Sequence, residues 1–312
     1  MSGARPTHDR VGLACAAATA LTWGMVGTLV RSIPALGPIE LVAGRLAFAL
    51  AGAVPVLALG VPRTALRAAA ADARAWALAM LMVAYYALAV AAFRLAPVAD
   101  VALLLATAPL CALGLRRLRG ERATSRERGG ALVALCGVAV TLVPSVQAAT
   151  SAGASGRLLG DALGLAAAAA SAGYALGYRQ AQLRTLHGAR AAPHPFGVAV
   201  LTFGVGVVVL GLRALARGEP LVAVGRLDAR GWALLAVLGV VSTLVPTLAF
   251  ATAARRLPPV LTSAAQLLVP VVSATTAAVA LAEWPSPWLV PGGALVGLGL
   301  ARLLFVPASS GR

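Results

Sequence analysis

Gly129-Gly130-Ala131-Leu132-Val133 recurs farther along the chain as Gly292-Gly293-Ala294-Leu295-Val296. This repeated pentapeptide belongs to an ordered series of matches. Phe93-Arg94-Leu95-Ala96-Pro97 resembles Arg255-Arg256-Leu257-Pro258-Pro259, Pro109 corresponds to Pro270, and Gly120-Glu121 corresponds to Ala282-Glu283. One such match could arise by chance, but a series in the same order indicates two copies of one structural unit.

Long apolar runs surround these matches. The chain has 312 residues, of which 60% are hydrophobic and only 12% are charged, whereas a soluble protein has about 25% charged residues. Because so small a number of charged residues cannot cover a water-facing surface, most of the protein surface must face lipid. A spanning helix needs about 20 apolar residues. The runs predict ten spans, at 11–30, 37–60, 75–93, 97–115, 129–146, 158–178, 196–214, 231–253, 259–281 and 287–306.

These runs favour helices over strands. They are rich in Ala, Leu and Gly and are too long for buried strands. A β-barrel would require alternating hydrophobicity over about 10 residues, and the runs do not alternate. We therefore predict an all-α integral membrane protein with ten transmembrane helices.

The repeat predicts how the ten helices are organised. Five spans per copy is an odd number, so the two copies must enter the membrane from opposite sides. Such inverted repeats are characteristic of secondary transporters. We expect one five-helix repeat at 11–146 and a second at 158–306. The Ser-, Gly- and Ala-rich stretch from Ser145 to Gly156 would link them.

The basic residues predict the orientation. The net charge of +16 comes from arginines that lie between apolar runs, so nucleic acid is not the expected partner. With the N terminus inside, 17 arginines fall on the inner side and 7 on the outer side. Because basic residues concentrate in cytoplasmic loops, we expect a multi-pass inner-membrane protein with both termini in the cytoplasm. The stretch 215–230 departs from this rule, since it places several arginines outside.

Several classes of enzyme lack their signatures here. Cys15, Cys111 and Cys136 lie within apolar runs without metal-ligand spacing, and the three histidines lie in loops or near ends. The sequence contains no HExxH, P-loop or nucleophile elbow. We therefore expect no metal, no cofactor, no ATP-driven transport by this chain alone and no enzymatic activity.

Short motifs in both copies resemble the drug/metabolite transporter superfamily, specifically its EamA-type members with two five-helix repeats. The first span contains Ala20-Leu21-Thr22-Trp23-Gly24, and the second contains Gly44-Arg45-Leu46. The proline followed by Gly-Glu is present as Pro109 with Gly120-Glu121, while the second copy has Ala282 in place of that glycine. The resemblance implies a ten-helix carrier for a small organic solute, often an exporter.

Charged residues within the spans are candidates for the site, because intramembrane charge is costly. Arg45 lies deep enough to need an internal partner, either a structural ion-pair partner or the substrate. Asp100 follows Pro97 by one turn and is either an acid stabilised by a helix N terminus or a proton or cation site facing a cavity. Arg45 could hold its carboxylate charged. Glu40 is expected to be a solvated interfacial carboxylate, and Asp161 a helix cap.

Aromatic and amide side chains complete the predicted substrate site. Trp23, Tyr85, Tyr86 and Tyr174 lie mid-span, whereas Trp76, Trp232, Trp284 and Trp288 lie near span ends, as expected of an interfacial belt. Simple interhelical packing is the alternative for the mid-span group. Gln266 could bind a polar solute, and Ser242, Thr243 and Thr247 offer hydroxyl groups. Pro109 and Pro270 are predicted to break equivalent helices near a midplane site, with a simple kink as the alternative.

The leading hypothesis is a secondary transporter that moves a small organic metabolite, amino-acid-like or drug-like, by alternating access. It is expected to be an exporter, driven by proton exchange or by the solute's own gradient. The partners would be that solute and membrane lipid, and the protein would be a monomer or a homodimer. The alternatives are a lipid-modifying integral membrane enzyme and a membrane scaffold that transports nothing.

Overall fold

The computed structural model describes residues 9–58, 63–149, 155–186, 192–216, 225, 227–257, 261 and 265–304, and the described residues contain helices and no strands. The helices of the first half are α1 Arg10–Gly24, α2 Val26–Arg31, α3 Pro38–Ala58, α4 Arg63–Ala70, α5 Ala73–Leu95, α6 Val98–Leu105, α7 Ala108–Leu118 and α8 Ser125–Ala149. Those of the second half are α9 Ser155–Leu186, α10 Pro195–Ala216, α11 Ala229–Ala236, a π-helix over Val237–Leu244, α12 Val245–Arg256, α13 Val269–Leu281 and α14 Leu289–Leu304.

These helices form ten spans. Within the described ranges, eight stretches are long and apolar enough to cross a membrane, and α13 and α14 are shorter apolar helices. The first span joins α1 to α2, the fourth joins α6 to α7, and the eighth joins α11, the π-helix and α12. The second, third, fifth, sixth and seventh spans are α3, α5, α8, α9 and α10, and the last two contain α13 and α14. The all-α, ten-span prediction is confirmed.

Some local features differ from the expected spans. The sixth helix runs to Leu186 rather than ending near residue 178. The seven-residue stretch before Ala265 falls mainly outside the described residues, and the regular helix of the ninth span begins at Val269. The short helix α4 was not predicted, because its basic residues resembled a loop. It packs against α10 and α5, and Gly197 permits close contact with Ala65 and Ala69.

The two repeats interlock rather than standing side by side. The first span packs on the eighth, and the third packs on the sixth in the same way. The second span contacts the π-helix of the eighth, and the seventh contacts the third. The ninth packs on the first, and the fourth packs on the sixth. These contacts between spans come in pairs, and exchanging the two repeats converts one contact of each pair into the other. This is expected of a chain with an internal two-fold relationship.

The repeated Gly-Gly pentapeptides bring the fifth and tenth spans together. A Cβ added at Gly130 would lie 2.9 Å from the carbonyl oxygen of Gly299, and one added at Gly299 would lie 2.6 Å from the carbonyl oxygen of Gly130. A Cβ added at Gly137 would lie 2.6 Å from the carbonyl oxygen of Gly292. Small residues allow such close backbone approach between membrane helices. The motif that reveals the repeat is therefore also the one that packs these two spans.

The Gly-Glu motif ends a helix in both copies. Gly120 has a φ of 84°, and Ala282 occupies the same left-handed region with a φ of 53°. The amide of Glu121 donates to the Arg116 carbonyl at 3.1 Å, and the amide of Glu283 donates to the Ala277 carbonyl at 3.2 Å. Such bonds satisfy carbonyl groups at a helix C terminus. Ala282 thus keeps the backbone conformation of the glycine that it replaces.

Candidate functional site

Arg45 lies in the core of the bundle, on the second span, with only 3% of its surface exposed. Its Nε donates to the Thr243 hydroxyl at 2.5 Å, and its Nη2 donates to the Ser242 carbonyl at 3.2 Å. The guanidinium carbon lies 4.7 Å from the centre of the Tyr86 ring. Arg45 therefore connects the second span to the eighth and to the third. We call Arg45, Tyr85, Tyr86, Ser242 and Thr243 the Arg45 cluster.

The π-helix places the eighth-span groups of this cluster. The Thr243 hydroxyl donates its proton to the Leu238 carbonyl, five residues earlier, at 2.8 Å. A lone pair of the same hydroxyl oxygen therefore accepts the hydrogen bond from Arg45 Nε. Gly239 allows the second span to approach, because an added Cβ would lie 2.6 Å from the Arg45 carbonyl oxygen. π-Helical turns are rare and occur frequently at functional sites. The arginine is thus held by backbone geometry that an ordinary helix would not provide.

Tyr85 and Tyr86 form the aromatic side of the cluster. Their ring centres are 5.4 Å apart, Tyr86 is buried and Tyr85 is half-buried. A guanidinium over a tyrosine ring is attracted to the electron-rich face of the ring. The structure therefore brings together three of the predicted substrate-binding residues, namely Arg45, Tyr85 and Tyr86.

The other two predicted aromatic residues lie in different surroundings. Trp23 contacts Phe250 of the eighth span, with ring centres 5.6 Å apart. Tyr174 stacks on Tyr178 at 6.1 Å and packs in a separate apolar cluster that includes Leu78. The first span is interrupted after Gly24, whereas α9 is continuous through Tyr174. Trp23 thus lies next to a helix interruption, and Tyr174 lies within an unbroken helix.

Asp100 binds Arg157 rather than Arg45. It lies in the first turn of α6, is 1% exposed, and accepts a bond from Arg157 Nη2 at 2.8 Å through Oδ2. Its other oxygen, Oδ1, is buried and has no hydrogen-bond partner among the residues that the structure describes. Arg157 belongs to the sixth span, so this ion pair joins the two repeats. Sequence reasoning missed it because Arg157 was counted only as a loop charge.

The two helix breaks at the prolines are alike. α6 ends at Leu105 and α7 begins at Ala108, so Pro109 lies in the first turn of a new helix. Pro270 has the same place in α13, which begins at Val269. Neither proline can donate to the carbonyl four residues earlier, which belongs to Leu105 or to Gln266. Gln266 itself is half-buried just before this break.

Arginines also join the ends of the spans next to Asp100. Arg31 binds Glu283 at 3.2 Å and donates to the carbonyls of Phe93 and Ala96 at 2.8 and 2.6 Å. Arg94 donates to the Ile33 and Leu36 carbonyls. These contacts tie the first, second and third spans to the loop after the ninth. The nearby glutamate of the Gly-Glu motif was the available sequence signal for this network.

At the opposite end, Asp9 begins the first span. Its carboxylate accepts bonds from the amides of Val11 and Gly12 and from Arg256 at the end of the eighth span. The Gly12 amide and then Arg256 hold the pKa of the Asp9 carboxyl below its usual value. The first and eighth spans are therefore fastened to each other at this end.

Two acids differ from their expected roles. Glu40 is buried and accepts the Gly37 amide at 2.9 Å, so it caps α3 rather than lying solvated at the interface. Asp161 does not cap α9, because that helix begins six residues earlier at Ser155. Trp76, Trp232, Trp284 and Trp288 are all at least 40% exposed.

The model of the EamA-like transporter family matches residues 10–143 and again residues 158–305. One similar solved structure, described only as the crystal structure of a protein, has a TM-score of 0.62 and 22% sequence identity, and the match covers 93% of this chain and 95% of that one. No curated protein matches the chain.

Proposed function

The chain belongs to the EamA-like transporter family, and from that premise we propose that it is a secondary transporter that exports a small organic metabolite by alternating access. Membership makes it a multi-pass membrane transporter of the drug/metabolite transporter superfamily. We further propose that the protein lies in the inner membrane with both termini in the cytoplasm.

The interlocked repeats are the observation that supports this mechanism. A carrier must close one end of a central site while it opens the other, and two inverted copies supply equivalent moving parts. The Arg45 cluster lies where the second and third spans of one copy meet the eighth span of the other. A rearrangement of the repeats would therefore change the surroundings of a buried cation.

Proton exchange is one way to drive such a carrier, and the solute's own gradient is the other. Asp100 is the acid that we propose for proton coupling, because it is buried and one of its oxygens has no hydrogen-bond partner. Its ion pair with Arg157 crosses between the repeats and so would be sensitive to their relative movement.

Efflux from reconstituted vesicles tests this function. Vesicles loaded with a mixture of amino acids, N-acetyl amino acids, sugars and aromatic amines would be followed by mass spectrometry of the external medium. We expect the protein to release one group of solutes faster than protein-free vesicles do. Exposed Arg213 provides a control variant, Arg213→Gln, which should match the unaltered protein. Altered lipids without solute efflux would instead indicate a lipid-modifying enzyme.

A further inference from the structure

Arg45 is a buried cation for which the described residues supply no carboxylate partner. The ion pairs among the described residues join other arginines to acids, and none of them includes Arg45. Its partners are a hydroxyl, a carbonyl and an aromatic ring, none of which carries a full negative charge. Burying an unpaired charge is costly, and natural proteins pair such charges or use them.

The donors of this guanidinium are only partly used. Nε and Nη2 point along one edge of the planar group, and that edge is bound to Thr243 and Ser242. The end of the fork consists of one N–H group of Nη1 and the second N–H group of Nη2, while the other N–H group of Nη1 points toward the Cδ side. Nη1 donates no hydrogen bond to any described residue. A guanidinium fork matches the two oxygens of a carboxylate in a bidentate arrangement.

A second unused polar group belongs to the same cluster. Ser242 is fully buried, and its hydroxyl has no hydrogen-bond partner in the described part of the chain, although its carbonyl accepts from Arg45. Buried hydroxyls without a partner are uncommon, because each costs free energy. Two groups that can donate to an anion therefore lie on adjacent spans.

We propose that Arg45 binds the carboxylate of the transported solute and that Ser242 donates to the same anion. This inference rests on the proposed transport function and specifies its substrate class as a small monoanionic carboxylic acid. A single guanidinium balances one negative charge, whereas a phosphate dianion would need a second cation. Arg31, Arg94 and Arg157 already bind carbonyl or carboxylate oxygens elsewhere.

The aromatic pair defines the rest of the ligand. The Tyr86 ring covers one face of the guanidinium, and the Tyr85 ring lies beside the Tyr86 ring. The organic part of the solute would pack near these rings. The Arg45 cluster contains no acid, so it offers no carboxylate partner for an α-amino group. We therefore expect N-acetyl amino acids to bind better than free amino acids of the same side chain.

Thermal stability with matched ligands tests this assignment. The probes are N-acetyl derivatives of phenylalanine, leucine and alanine, the corresponding N-acetyl amino acid amides and the free amino acids. At about a hundredfold excess over Kd, a bound acid should raise Tm by about 5 °C. Its neutral amide should leave Tm unchanged, and the free amino acid should give a smaller shift.

Variants assign the effect to the guanidinium. Arg45→Gln should abolish the shift, Arg45→Lys should reduce it because the charge stays but the fork is lost, and Arg213→Gln should preserve it. If Arg45→Gln does not fold, Arg45→Lys and Ser242→Ala carry the test. The inference is overturned if no N-acetyl acid shifts Tm, if acid and amide shift it equally, or if Arg45→Lys and Ser242→Ala both bind as well as the unaltered protein.

Vesicle flux separates this inference from the proposed function. Release of acids but not of amides supports both. Release of amides or amines alone keeps the transport function and overturns the carboxylate site. If acids bind through Arg45 yet no solute crosses the membrane, the carboxylate site stands and the proposed transport function fails.

Discussion

The guanidinium carbon of Arg45 lies 4.7 Å from the ring centre of Tyr86, between the second and third spans. Hydrogen bonds to Ser242 and Thr243 hold the same arginine against the other repeat. A buried charge where two repeats meet lowers the stability of the fold. If Arg45 serves transport, removing its charge should therefore raise stability and reduce activity.

Arg45→Met should separate these two properties. A buried charge carries a desolvation cost of several kcal/mol, and Met removes that cost while filling a similar volume. We therefore expect a Tm at least equal to that of the unaltered protein, together with loss of solute flux. The measurements are Tm in detergent and efflux from vesicles at equal reconstitution. A variant that unfolds early, or one that still transports, would contradict this role for Arg45.

Ala282→Gly should stabilise the protein. Ala282 is exposed and holds a left-handed backbone conformation with a φ of 53°. A non-glycine residue in this conformation costs about 1 kcal/mol more than glycine. The gain should therefore be about 1 kcal/mol in the free energy of unfolding, measured by denaturant titration.

The first repeat provides the reciprocal control for this effect. Gly120→Ala places alanine at a φ of 84°, with no atom within 4 Å of the added Cβ, so only the backbone conformation changes. This variant should lose stability by a similar amount. If both variants are as stable as the unaltered protein, the left-handed backbone conformation does not determine stability at these positions.

The Asp100–Arg157 pair should show energetic coupling. Asp100→Asn and Arg157→Gln each leave the other member of the pair without an opposite charge, so each should cost about 1–3 kcal/mol. The double variant should cost less than the sum of the two single variants, since neither charge then remains unpaired. Additive costs in denaturant titrations would mean that the pair contributes nothing.

The same Asp100→Asn variant tests proton coupling. Asn keeps the size of the side chain and much of its hydrogen bonding, but it cannot titrate. If Asp100 couples transport to protons, the variant should still bind solute while losing pH-dependent uphill flux. Uphill flux with an unchanged pH profile would leave Asp100 as a structural acid at a helix N terminus.

Cysteine labelling should establish the orientation. In a background without the three native cysteines, Thr124→Cys lies between the fourth and fifth spans and should react with an impermeant maleimide only from the cytoplasm. Ala35→Cys lies between the first and second spans and should react only from outside. Both positions are exposed. The reverse pattern would invert the topology inferred from the arginines.

The architecture was accessible from the sequence because its determinants are local or repeated. Twenty-residue apolar runs predict spans regardless of their neighbours, and the Gly-Gly and Gly-Glu motifs recur because both copies use them for the same packing and helix ending. The π-helix at Val237–Leu244 could not be predicted from the sequence. An apolar run does not show whether the backbone hydrogen bonds join residues four or five positions apart. Its side chains were identifiable only as hydroxyl groups near Pro246.

The partners of the charged groups were the other part that sequence could not supply. Asp100 and Arg157 are 57 residues apart, and their contact depends on how the fourth and sixth spans pack. Arg45 was recognisable by its depth alone, but its hydrogen bond to Thr243 joins residues that are 198 positions apart in the chain. Contacts between the repeats depend on how the helices pack. The depth of a charged residue within a span therefore identifies it as a candidate site residue but does not identify the residue that it contacts.

The most direct measurement is the accessibility of Ser242, which we place beside the solute on the transport path. In the cysteine-free background, Ser242→Cys would be treated with a small anionic methanethiosulfonate from each side of the vesicle membrane. The account predicts modification that stops transport and slows when a transported N-acetyl amino acid is present. A cysteine that reacts from neither side, or reacts at the same rate with and without that solute, would contradict it.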